Sequence, residues 1–211
     1  MASALDARFL SGLKEERVAA EAAFAAAGIA PAGAPAEGVD KAQLIADVKA
    51  ALYAAKVCSY AQGYNIIRAK SAEKGWNVDL GDMARIWKGG CIIRAGFLDR
   101  IKLAYRRNPE LPNLLVDPDF AKDLADRQVS WRRVVSLAVN SGIGMPGMTS
   151  SLAYFDTYRR GRLPANLVQA QRDFFGSHTY ERTDGQAGWF HTVWDESFGS
   201  KDSITTSGYN Q

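Results

Sequence analysis

The sequence is poor in the groups that most often carry chemistry: two cysteines and two histidines in 211 residues. Cys58 and Cys91 form no CxxC and have no histidine at ligand spacing, which argues against a metal site and leaves both thiols as buried, unpaired cysteines. His178 and His191 do not yield a Ser-His-Asp triad without inventing contacts. No GxGxxG occurs, so nothing seats a cofactor pyrophosphate in the usual way. No apolar run reaches the roughly eighteen residues of a membrane span. The alanine-rich start is interrupted by Asp6, Arg8, Lys14, Glu15, Glu16 and Arg17, which a signal peptide's apolar segment excludes. Charge of one sign is also scarce: the net charge is +3, and the arginines come as scattered pairs such as Arg106-Arg107 and Arg132-Arg133. Nucleic-acid binding wants a concentrated basic face, so no nucleic acid is expected and a small anionic ligand fits better.

What is present is helix. With 47% hydrophobic residues the chain can fill one sizeable core or two small ones. Residues 4 to 27 carry Leu5, Phe9, Leu13 and Phe24 near helical spacing and predict one helix. Prolines and glycines at 28 to 40 predict a linker, and Asp40 is a good N-cap for a long helix running to about Lys74. Its apolar positions, among them Ile45, Val48, Leu52 and Tyr64, wander around the helix, which predicts a place in the middle of a bundle. Two helices joined at Gly89-Gly90 follow, where close helix packing is favoured over an anion-binding nest. Another helix spans Asp119 to Asn140, and one starts at Thr149 and ends at Gly161. The last begins near Pro164 and stops at Gly176. The segment after it suits a short hairpin, and a polar tail closes the chain. The fold class is therefore all-α, with an extended C-terminal tail and a short hairpin.

Three residues are candidates for a binding site. Arg172 precedes Gly176, and His178 follows it, in "LPANLVQAQRDFFGSHTYER" at 163 to 182. They read either as an ordinary helix end, where cations suit the dipole, or as a pair of cationic donors for a phosphate or carboxylate. Spacing by itself favours the helix end. Arg8 invites the same two readings, the bland one being a surface ion pair with Asp6 or with an acidic residue further along. His191, set between aromatics in an expected strand, reads as structural.

Four strings, "ARFLSGLKEER" at 7 to 17, "KAALYAAKVCSYAQGY" at 49 to 64, "IWKGGCIIRAGFLDRIKLAYRRNPELPNLL" at 86 to 115 and the stretch at 163 to 182, occur in this order. Together they closely resemble the C-terminal helical domain of decarboxylating 6-phosphogluconate dehydrogenase. The resemblance implies an NADP-dependent oxidative decarboxylation of 6-phosphogluconate to ribulose 5-phosphate by a homodimer joined through its helical domains. It implies that Arg8 binds the substrate phosphate within its subunit. Arg172 and His178 would reach a neighbouring subunit's substrate, the arginine to phosphate and the histidine to a hydroxyl. It also implies residues 1–176 as a dimerising, substrate-binding domain and 177–211 as a tail packed on the partner.

The departure from the family is large. Its nucleotide-binding domain and the segment with its catalytic lysine have no counterpart in these residues, so no catalytic residue is expected here and this chain by itself is expected to be inactive. Met1 stands where a family helix is already under way, which suggests a truncated chain. The alternative is a stand-alone scaffold or sugar-phosphate sensor that kept only this domain. A cytoplasmic location is expected, with a plastid equally compatible.

Overall fold

The computed structural model describes residues 2–29, 33, 38–93, 95–195 and 204–206. Of the expected linker, residues 30–32 and 34–37 lie outside this set, as do 196–203 and 207–211 of the expected tail. The chain divides into two compact units, Met1–Arg159 and Arg160–Gln211. Among the described residues eight α-helices account for most of the structure and only two short strands occur, so the fold is all-α.

The first unit is built on the helix α3 (Lys41–Lys74). Asp40 caps it, its carboxylate accepting from the N–H groups of Ala42 at 2.8 Å and Gln43 at 3.3 Å, and Gly75 ends it in the left-handed conformation at φ 64°. Its buried face is rich in small residues (Ala51, Ala54, Ala55, Cys58, Ala61), which lets α6 (Pro118–Asn140) pack closely against it. Arg133 of α6 grips Asp47 of α3 with two bonds of 2.6 and 2.7 Å. Its guanidinium outweighs the cost of burial and holds the Asp47 carboxyl well below the usual carboxylate range. Tyr64 stacks on Tyr105 and tilts against Trp87, joining α3 to α4 (Leu80–Ile86) and α5 (Leu98–Arg107). Trp131, fully buried, stacks on Phe155 of α7 (Pro146–Tyr158). Burial pushes the Cys58 thiol up to about 12, so it is inert.

Several expectations are corrected. The predicted single helix at 4 to 27 is two, α1 (Ala2–Gly12) and α2 (Lys14–Ala26). The break falls after Gly12, and Arg17 sustains it by donating to the carbonyls of Leu10 and Ser11, both at 3.0 Å, which α1 leaves unpaired. Helix α7 starts at Pro146 rather than Thr149, because proline at the first helical position gives up an N–H that had no partner. Gly89 and Gly90 have open space where a Cβ would stand, so they form a turn and not a helix contact. Helix α3 is not buried on most sides: Ile45, Leu52 and Ile66 are exposed, leaving an apolar face open in this chain.

The second unit contains α8 (Asn166–Gly176) and strand β1 (Phe190–Thr192), paired antiparallel with β2 (Ile204–Thr206) in the register Phe190 to Thr206. Tyr180 and Phe190 exchange two backbone hydrogen bonds of 2.9 Å. The expected hairpin therefore exists, with the turn at 181–189 between its arms.

Trp131→Ala removes the largest fully buried side chain of the first unit and is expected to cost about 3–5 kcal/mol. A fall in the denaturant midpoint at unchanged slope checks this.

Candidate functional site

The site grows from one buried carboxylate. Asp173 lies on α8, its side chain fully buried. Its oxygens accept from the backbone N–H of Thr179 (3.1 Å), the backbone N–H of Thr192 (2.8 Å) and the Trp194 indole N–H (3.0 Å), and His191 Nδ1 lies 2.9 Å away. Burial works to raise its pKa, but the bonds from Thr192, His191 and Trp194 outweigh burial and hold the carboxyl below the usual carboxylate range. The anion thus ties the end of α8 to β1.

Between those anchors the backbone makes an unusual turn. Gly176, expected to be the residue that turns the chain, is the last residue of α8; the left-handed position is Ser177, at φ 51°. Thr179 is left-handed too, at φ 57°. Side chains rarely tolerate this region, and each such residue costs of order 1–3 kcal/mol. Asp173 offsets the cost at both: its carbonyl accepts the Ser177 N–H at 2.8 Å, and its carboxylate accepts the Thr179 N–H. Only at Gly176 does the absence of a side chain have a separate reason. A Cβ there would stand 3.1 Å from His178 Nε2, so the imidazole folds back over the glycine.

Arg172 and His178 line one cleft of about 1250 Å³, together with Arg162, Arg182, Trp189 and Trp194. The structure thus brings these two predicted residues together. Among the described residues neither Arg172 nor Arg162 pairs with a carboxylate: Arg172 bonds the Gln169 amide oxygen at 3.2 Å and Arg162 the Thr183 hydroxyl at 3.3 Å. Arg182 is held by Asp184, whose carboxyl the guanidinium lowers to about 2. The cleft therefore offers two guanidiniums able to form charge-assisted bonds to an anion, beside exposed aromatic rings. Arg8 belongs to the first unit, on α1, exposed; the surface pair with Asp6 does not form. Its side chain has no carboxylate partner among the described residues.

Sequence reasoning missed the organiser of the site. Asp173 stands in the quoted string as one acid among cations, and only folding turns it inward. It also missed a connectivity. Ser177 Oγ lies 3.4 Å from His191 Nε2, whose other nitrogen meets Asp173, the order of a nucleophile, base and orienting acid. The N–H groups of Ser177 and Thr179 are already taken by Asp173, so this chain of bonds ties down the turn. His191 is structural, as its aromatic surroundings predict. Among the described residues no helix is long and apolar enough to cross a membrane, and no cluster of metal-ligating side chains occurs.

Fold and cleft together define an all-α domain with an arginine-lined cleft. The 6-phosphogluconate dehydrogenase C-terminal domain profile matches residues 1–194. The chain is 69% identical over 192 residues to 6-phosphogluconate dehydrogenase, decarboxylating 2, of Arabidopsis thaliana, covering 91% of this chain and 39% of that protein. It is 53% identical over 193 residues to the decarboxylating enzyme of Synechocystis, again 91% of this chain and 39% of that one. A solved structure of Plasmodium falciparum 6-phosphogluconate dehydrogenase, studied apo, with its cofactor NADP+ and with its substrate 6-phosphogluconate, superposes with a TM-score of 0.82 at 44% identity. That match covers 92% of this chain and 40% of the other. The chain belongs to the 6-phosphogluconate dehydrogenase family, as its C-terminal domain, and spans about 40% of the length of these relatives.

Asp173→Ala leaves four donors unanswered and is expected to cost the second unit about 3–5 kcal/mol. Acid should act on the same bonds. Because the folded pKa of Asp173 lies below an unfolded value of about 3.9, its stabilisation is complete above that pH and fades as pH falls through the folded value. The Trp194 indole N–H resonance, followed by NMR from pH 6 to pH 2, should report the loss, and Asp173→Asn should abolish that titration.

Proposed function

We propose that this chain is the substrate-binding and dimer-forming part of an NADP-dependent 6-phosphogluconate dehydrogenase, the enzyme that oxidatively decarboxylates 6-phosphogluconate to ribulose 5-phosphate. The observation that carries this reading is Arg172 and His178 in one cleft, with no carboxylate competing for the arginine among the described residues. A phosphate near charge minus two suits guanidiniums that bond it in pairs. In this reading Arg8 binds the phosphate within its own subunit. Arg172 and His178 serve a neighbouring subunit, the arginine at the phosphate and the histidine at a hydroxyl.

A homodimer follows from the same reading. Leu167, Val168, Phe174 and Phe175 leave an apolar face of α8 exposed, and Ile45 and Leu52 do so on α3. Residues 1–176 would form the helical part of the interface and 177–211 the tail crossing to the partner. The chain's own residues do not fit NADP: no GxGxxG is present, and the described strands form only an antiparallel pair. NADP, which supplies the hydride acceptor when bound, would be held elsewhere in the full-length enzyme, and this chain by itself would be inactive. Cytoplasm is the proposed location; a plastid is the second, since chloroplastic relatives such as one 65% identical in Arabidopsis thaliana share the domain.

A stand-alone scaffold or sugar-phosphate sensor is the second reading. Calorimetry with 6-phosphogluconate separates a sugar-phosphate-binding domain from a pure scaffold. Binding is expected, and Arg172→Ala should weaken it by about 1.5–3 kcal/mol; undiminished affinity in that variant refutes the assignment, and no binding at all leaves the scaffold. Sedimentation is expected to show a dimer, and Phe175→Asp should shift it toward monomer.

A further inference from the structure

We infer that Gly176 and Asp173 are positioning residues for His178: together they set the imidazole's direction before any ligand arrives. This inference rests on the proposed role of His178 in the ligand site. His178 sits between two left-handed residues, Ser177 and Thr179, whose N–H groups are both bonded to Asp173, one by its carbonyl and one by its carboxylate. The backbone on either side of the histidine is thereby held by one residue five positions earlier on α8 and is not set by local preference, which disfavours both angles.

The side chain is then directed by an absence. His178 Nε2, Cδ2 and Cε1 lie 3.1, 3.3 and 3.9 Å from where a Gly176 Cβ would be, so the ring lies across the glycine. Gly176 is the last residue of α8 and has no positive φ, so its backbone does not need glycine. Where the backbone does not require glycine and the three atoms nearest the vacant Cβ position all belong to a candidate ligand-binding ring, the ring accounts for the glycine. Preorganisation of this kind raises affinity by sparing the side chain's ordering cost on binding.

Gly176→Ala separates this role from a structural one, because alanine should leave the helix intact while displacing the imidazole. NMR of the chain gives the direct readout, with two histidines to distinguish and His178→Ala to assign them. Contacts between the His178 ring protons and the Gly176 α-protons are expected in the wild type. In Gly176→Ala the His178 ring resonances should move while those of His191 and the amides of β1 stay, and affinity for 6-phosphogluconate should fall roughly tenfold, the scale of one lost hydrogen bond. Asp173→Asn, which keeps the side chain's shape, should broaden the His178 resonances. Unchanged ring resonances in Gly176→Ala, or moved resonances with unchanged affinity, overturn the inference. If instead His178→Ala binds 6-phosphogluconate as the wild type does, it is the ligand-site assignment that fails, and the ring resonances still decide whether Gly176 and Asp173 direct the imidazole.

Discussion

One buried carboxylate organises the second unit. Asp173 gathers donors from three directions: the turn after α8, strand β1 and the indole of Trp194. An ionised group so far from water is tolerable only because each lone pair is answered, and the answering groups come from segments far apart in sequence. The cleft, the left-handed turn and the direction of His178 are consequences. So is the identity of Gly176, which has no backbone reason to be glycine.

The first unit holds together by a different balance. Small residues on α3 allow close packing with α6, and the polar links between the two helices are ion pairs at the margin of the core. Asp47 with Arg133 is one; Arg100, Asp123 and Tyr53 form another, with bonds of 2.6 to 2.8 Å. These fix the register of helices whose apolar contacts are otherwise permissive. The apolar residues left exposed on α3 and α8 are the surfaces that the proposed dimer would cover.

The arginines divide by partner and not by position along the chain. Arg100, Arg107, Arg132, Arg133 and Arg182 are each neutralised by a carboxylate and serve the fold. Among the described residues Arg162 and Arg172 bond only neutral side-chain oxygens, which is what the proposed phosphate site needs. A count of basic residues could not make that distinction.

Local signals were legible in the sequence wherever the chain decides its own conformation. Asp40 opens α3, that helix ends at Lys74, and the composition after Gly176 suits the hairpin, because caps and strand-forming residues act within a few positions of themselves. The order of four motifs carried the family and pointed to Arg8, Arg172 and His178. What the sequence could not show was decided by contacts between distant segments. Arg17 reaching back to cap α1 turns an apparent single helix into two, and the true turn residue proved to be Ser177, since a hydrogen-bonding anion can hold a left-handed serine where propensity alone would ask for glycine. The role of Asp173 needed the tertiary structure most: its partners lie as far on as Thr192 and Trp194, and only folding puts one carboxylate within reach of them all.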